Sequence, residues 1–259
     1  MFHSDDRSAL TRGFTLVELL VVIGIIALLI SILLPSLSRA RGSAMKAVCA
    51  SNQRQLGIAI TQYSLENIQF IPPLSWQENA LGDPRMRYPY DAYLAFERNP
   101  SDGSPALMYG QGELHQAGLI DAPEIFYCPS MVDDGHRFEK FEQVWPVAFD
   151  SNCLGPDGTQ FADIRTGYQY LPPHEVTADK KFMLQKKLRM SLLPSDGLML
   201  HDITHKLDNA GHENVWNRLW ADGSVLAKQS DDIEELIETT RPIDDVTLYE
   251  PIRAMLTER

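Results

Sequence analysis

The chain has 259 residues, 44% of them apolar, which excludes wholesale disorder. Its 23 bases and 35 acids give a formal net charge of −12, which argues against nucleic acid as a partner because phosphate binding needs clustered Lys and Arg. No collagen period, heptad array or solenoid repeat is visible.

Charge divides the chain into four parts. A polar leader (1–13) precedes an apolar rod (14–34) whose one ionisable residue is Glu18. An amphipathic stem (35–67) follows, and its first part, 35–54, holds Arg39, Arg41, Lys46 and Arg54 with no acid. The remainder (68–259) reads as an acidic globular head, most acidic over 229–259.

The rod spans 21 residues. At 1.5 Å per residue that is about 31 Å of helix, close to the roughly 30 Å hydrocarbon core. It is apolar all round, as a lipid-embedded helix must be. A cleaved secretory signal has a shorter apolar region and a small-residue cleavage site. Residues 35–44 offer only Ser38-Arg39-Ala40 in that role. The orientation signal is weak: Arg7 and Arg12 are offset by Asp5 and Asp6, and counting bases alone puts the C-terminal side in the cytoplasm. Glu18 is the unusual residue, since a carboxylate at the bilayer centre costs about 2.5–3.5 kcal/mol, less near the edge. Either it reaches water at the interface or a partner neutralises it. An α-amino group created by a cut before Phe14 is such a partner.

Gly13-Phe14-Thr15-Leu16-Val17-Glu18 resembles the processing site of type IV prepilins and type II secretion pseudopilins. The resemblance implies cleavage after Gly13 by a membrane prepilin peptidase and methylation of Phe14. It implies a retained single-pass helix in the inner membrane and an extracytoplasmic head, in the periplasm or at the cell surface, overriding the count of bases. It also implies fibre assembly with other pilin-like subunits, as a homo- or hetero-polymer, in which Glu18 pairs with a neighbour's N-terminal amine. Pro35 stands where such helices often kink, since it removes one N–H.

In the stem, Leu37, Ala40, Ala44, Val48, Leu56, Ala59, Ile60 and Tyr63 fall three or four apart. The four bases read as a solvated face, or as one that meets anionic lipid or a neighbour's acidic head. Gly42 and Gly57 each cost about 1 kcal/mol against Ala in a helix, which suggests close packing. The helix should end near Asn67, before Ile71-Pro72-Pro73. Cys49-x-x-Asn52-x-Arg54-Gln55-Leu56-Gly57 resembles a sub-group of pilin-like proteins that carry a second, C-terminal H-X9-DG element. His212, nine residues, then Asp222-Gly223 match that spacing, with Ser224 where the family often has His.

The head predicts loops over 76–105 with a short helix near 91–97, then a helix over 112–119. Strands are expected at 144–149, 166–171 and 197–202. The strongest hairpin signal is 215–228, with a type I′ turn at Asp222-Gly223. Short helices broken at Pro242 and Pro251 are expected in the acidic C-terminal stretch. The fold class is therefore α+β: a long N-terminal helix packed on a small antiparallel-sheet head with long loops, pilin-like in outline.

His212, Asp222 and Gly223 read first as a structural hairpin element. His201, Asp202, His205, His212 and Asp222 also form a candidate zinc cluster, and Asp208, Asn209 and Asp222 a candidate calcium set; the expectation is nonetheless no cofactor. Three cysteines are an odd number. Cys49–Cys128 would staple stem to head, and Cys128–Cys153 is the competing pair. No Gly-x-Ser-x-Gly or complete nucleotide loop supports an enzyme, and neither Ser104 nor Ser130 lies in a triad signature. A structural fibre subunit is expected. The alternative is a membrane-anchored ligand- or metal-binding module that does not polymerise.

Overall fold

The computed structural model describes residues 15–73, 77–78, 84–85, 94–97, 107–108, 110–131, 138–141, 163–170, 175–176, 182–183, 188–202, 215–233, 235 and 254–258. The chain divides into two compact units, Met1–Ser43 and Ala44–Arg259.

Within the first unit the described residues belong to helix α1 (Leu16–Glu66) or cap it. Every residue over 15–41 is exposed, and an apolar stretch of α1 is long enough to cross a membrane. The helix continues through Pro35. On either side, Ser31 Oγ donates to the Leu28 carbonyl at 2.7 Å and Ser36 Oγ to the Leu33 carbonyl at 2.8 Å. Such back-bonding keeps small hydroxyls satisfied in an apolar helix.

The second unit holds the rest of α1 and an α+β head. In chain order its strands are β1 (Gln77–Glu78), β2 (Pro84–Arg85), β3 (Leu94–Glu97) and β4 (Leu107–Met108), followed by helix α2 (Gln111–Gln116). A 3-10 turn (Pro123–Phe126) and α3 (Phe138–Phe141) lead to β5 (Asp163–Arg165), β6 (Tyr168–Tyr170), β7 (Glu175–Val176) and β8 (Phe182–Met183). After a second 3-10 turn (Met190–Leu192) come β9 (Leu198–Asp202), β10 (Val215–Trp220) and β11 (Val225–Gln229). The main sheet has the order β11-β10-β9-β6 with antiparallel pairing throughout. A second sheet is β4-β3-β5 and a third is β1-β2-β8-β7. This is the pilin-like α+β arrangement of a long helix and a small antiparallel sheet.

Several expectations are corrected. Residues 94–97 form a strand, because β3 is paired on both sides, with β4 and β5; pairing, with β5 far away in sequence, overrides the local helical reading. The buried face of α1 is Cys49, Gln53, Leu56, Gly57, Ala59, Ile60 and Ser64, while Leu37, Ala40, Ala44 and Val48 are exposed. The stripe starts only where the head begins to cover the helix. Gly57 is closely packed, since a Cβ there would stand 2.8 Å from Leu219 Cδ1, whereas a Cβ on Gly42 would meet nothing within 4 Å. The expected strand at 144–149 lies outside the described residues.

The hairpin forms with a different turn. A type I′ turn needs positive φ at both central residues, and here only Gly223 has it, at 80°. The Gly223 amide donates to the Trp220 carbonyl at 2.9 Å, and the Trp220 amide to the Ser224 carbonyl at 2.9 Å. The result is a three-residue loop, a type I turn closed by a left-handed glycine. Asp222 Oδ1 accepts from Ser224 N at 2.9 Å and Ser224 Oγ at 2.6 Å, which fixes the tip.

Candidate functional site

The first site is the start of α1. Thr15 is the N-cap and Glu18 is three residues on. Glu18 Oε2 accepts from Thr15 N at 2.9 Å and from Thr15 Oγ1 at 2.7 Å, and Thr15 Oγ1 accepts from Glu18 N at 3.2 Å. This reciprocal pattern is a capping box. It was visible in the sequence as Thr-x-x-Glu at the head of an apolar run, a signal the prepilin resemblance overshadowed. Both bonds fall on one carboxylate oxygen, so Glu18 retains lone pairs for a further donor. Gly13 and Phe14 lie outside the described residues.

The second site is where the stem meets the head, entirely within the second unit. Successive turns of α1 present the anchors. Cys49 and Cys128 form a disulfide, both buried. One turn on, Asn52 Nδ2 donates to the Tyr127 carbonyl at 3.1 Å. Beside it, Gln53 Nε2 donates to Asp202 Oδ1 at 2.8 Å and to the Asn217 carbonyl at 3.3 Å. Gly57 then admits Leu219 against the helix backbone. The Cys49-x-x-Asn52-Gln53 and Gly57 positions thus acquire a physical meaning: they are the docking face.

Asp202 sits at the centre of this face. Its Oδ2 accepts from Asn217 N at 2.8 Å and Asn217 Nδ2 at 3.2 Å. Burial pushes its pKa up to about 7, against the three hydrogen-bonding groups that favour the charged form. Tyr168, across the strand pair from Asp202, is also fully buried, and burial plus that carboxylate hold its hydroxyl well above the usual range. Its O–H donates to the Tyr127 carbonyl at 3.3 Å. Gln53 Oε1 is buried without a hydrogen-bond partner. Asp202 and Gln53 belong to segments 149 residues apart. Sequence reading placed Asp202 in a metal cluster and missed Gln53; nothing local in the sequence links them.

The remaining candidate ligands are dispersed. His201 is buried on β9, and its Nδ1 donates to the Asp202 carbonyl at 2.7 Å. Asp222 is exposed in the hairpin turn. His205, Asp208, Asn209 and His212 lie outside the described residues, as does Cys153. Among the described residues no three His, Cys, Asp or Glu side chains gather in a way that could hold a metal ion.

Residues 9–34 match the family described as the prokaryotic N-terminal methylation motif. The match covers the residues just ahead of α1 and the apolar part of α1, and it supports a type IV prepilin-like protein. No curated protein and no solved structure matches the chain. The motif together with the apolar helix fits membrane anchoring.

Proposed function

We propose that the chain is a structural subunit of a type IV pilus-like or type II secretion pseudopilus-like fibre, and not an enzyme. A prepilin peptidase cuts after Gly13 and methylates Phe14. The apolar helix stays in the inner membrane as a single span, with the head outside the cytoplasm. Copies, or related subunits, then pack their helices side by side. The observation that carries this reading is the methylation motif over residues 9–34, joined to a helix that runs on as a stem locked into an α+β head. The Cys49–Cys128 disulfide supports an oxidising compartment for the head. The spacing of His212 and Asp222-Gly223 supports the H-X9-DG sub-group.

Association follows from the charge in the span. Two opposite charges are tolerable in lipid when they pair. Glu18 on one copy and the new Phe14 amine on the next satisfy that condition and fix the register. A head-to-tail contact of this kind generates an open helical polymer. The test is mass spectrometry of the protein extracted from its native membrane. The expected N-terminus is methyl-Phe14. A mature protein that still carries residues 1–13 overturns the proposal.

A further inference from the structure

Beside the disulfide, the second unit holds an open cleft of about 270 Å³. Its walls include Val48 of the stem, Ile125, Met131 and Phe138, and two carboxylates, Glu124 and Glu139, are exposed at its rim. The volume lies below the roughly 300–1,000 Å³ of sites for drug-sized ligands. It suits one or two side chains. An apolar wall, an aromatic ring and an anionic rim complement a Lys or Arg, whose long apolar stem carries a cation at its tip.

We propose that this cleft receives a basic side chain from the stem of a second copy of the same chain. The stem segment 35–54 supplies four bases and no acid, while the rest of the chain beyond it holds seventeen bases against thirty-two acids. Arg41 and Arg54 are exposed, and Arg39 is exposed as well. Each copy therefore presents both halves of a contact: a basic stem segment and an acidic-rimmed cleft walled in part by Val48. The two are different surfaces of one chain, so the contact is heterologous and repeats from copy to copy without closing. Electrostatic complementarity of this kind sets register and excludes wrong neighbours more than it adds raw affinity. The inference rests on the fibre reading above and adds a second contact, outside the membrane, to the one at Glu18.

The experiment uses the full chain in cells that process it, with a photo-reactive benzoyl-phenylalanine at position 138. Two populations, one isotopically labelled, are co-assembled so that cross-links between copies are told from cross-links within one. Illumination is expected to join position 138 to peptides from 35–54 of another copy. Glu124→Lys combined with Glu139→Lys should cut that yield at least fivefold while the Cys49–Cys128 disulfide still forms. Arg41→Glu with Arg54→Glu on the partner population should restore it. Cross-links to a different protein or to head peptides, or a yield indifferent to the charge reversals, overturn the cleft assignment. A Glu18→Ala control separates the two claims. Loss of all cross-links between copies in that control alone, with the cleft variants behaving as wild type, leaves the fibre standing and removes the cleft. Undiminished fibres in the Glu18→Ala control remove the Glu18 pairing and leave the fibre, and absence of fibres and of cross-links between copies in the wild type removes the fibre reading.

Discussion

Asp202 carries a carboxylate into a place that water does not reach, with three hydrogen-bonding groups around it and one orphan acceptor, Gln53 Oε1, alongside. Its pKa rises from an ordinary 3.8 to about 7 because burial outweighs those bonds. The folded state therefore holds a proton that the unfolded state releases between about pH 4 and 7. Stability is greatest at the acid end of that window and falls as pH rises through about 7. The full effect is at most about 4 kcal/mol. A neutral Asp202 has a proton to donate, and rotation of the Gln53 amide would bring Oε1 round to accept it. Asp202→Asn mimics that neutral form. Thermal melts should show the wild type losing stability from pH 5 to pH 8 while Asp202→Asn stays flat and melts higher at pH 8. Equal slopes for the two proteins would show that another group governs the profile. A second residue-level test concerns Gly112 in α2, where a Cβ would run into the backbone carbonyl oxygen of Ala95. Gly112→Ala gains about 1 kcal/mol of helix propensity but cannot move a backbone oxygen held in a sheet. The expected outcome is a net loss of 2 kcal/mol or more in chemical denaturation. At this scale the sequence is an uneven guide. Thr15 and Glu18 are three apart and their bond is legible, whereas the environment of Asp202 is assembled from α1, β9 and β10 and cannot be read from any one segment.

At the scale of elements, the docking of α1 onto the head depends on one covalent and several polar anchors. The disulfide joins positions 79 residues apart. The chain-entropy account gives about 4–5 kcal/mol for closing a loop of that length. Cys49→Ser combined with Cys128→Ser should therefore lower the melting temperature of the head by about 10 °C. A shift within two degrees would mean that the polar anchors suffice. The far side of the sheet is held by the C-terminal segment. Arg218, 3% exposed, donates from Nη1 to the carbonyls of Leu256 at 2.6 Å and Glu258 at 2.7 Å. Lys228 Nζ donates to the Met255 carbonyl at 2.6 Å and pairs with Glu258 at 3.1 Å. Deleting 254–259 strips a buried guanidinium of these acceptors, which costs about 3–5 kcal/mol. Faster proteolysis of the truncated head checks this, and an Arg218→Met variant should recover part of the loss. The hairpin around Gly223 was legible because its signals are local. Strand β3 was not, because its partner β5 lies far along the chain and β4 is only two residues long. In the acidic C-terminal stretch Leu256 and Ile233 are fully buried, since a few apolar residues among many acids are enough to dock a short helix.

For the whole molecule, Glu18 has two roles that can be pulled apart. As the far half of a capping box it stabilises the first turn of its own helix, a task that Gln performs as well as Glu. As the counter-charge proposed above it would serve a neighbour's amine, a task that needs the negative charge. Removing the carboxylate also relieves the cost of placing it in lipid, so membrane insertion should be unchanged or improved in either variant. Glu18→Ala loses both roles and Glu18→Gln loses only the second. If pairing between copies is what the residue is for, both variants insert, both are trimmed and methylated at Phe14, and neither assembles. Sheared-fibre yield and cross-linking between copies measure this directly. Fibres from Glu18→Gln at the wild-type level would reduce Glu18 to a helix cap, and the polymer would then have to be held together by the stems and heads alone.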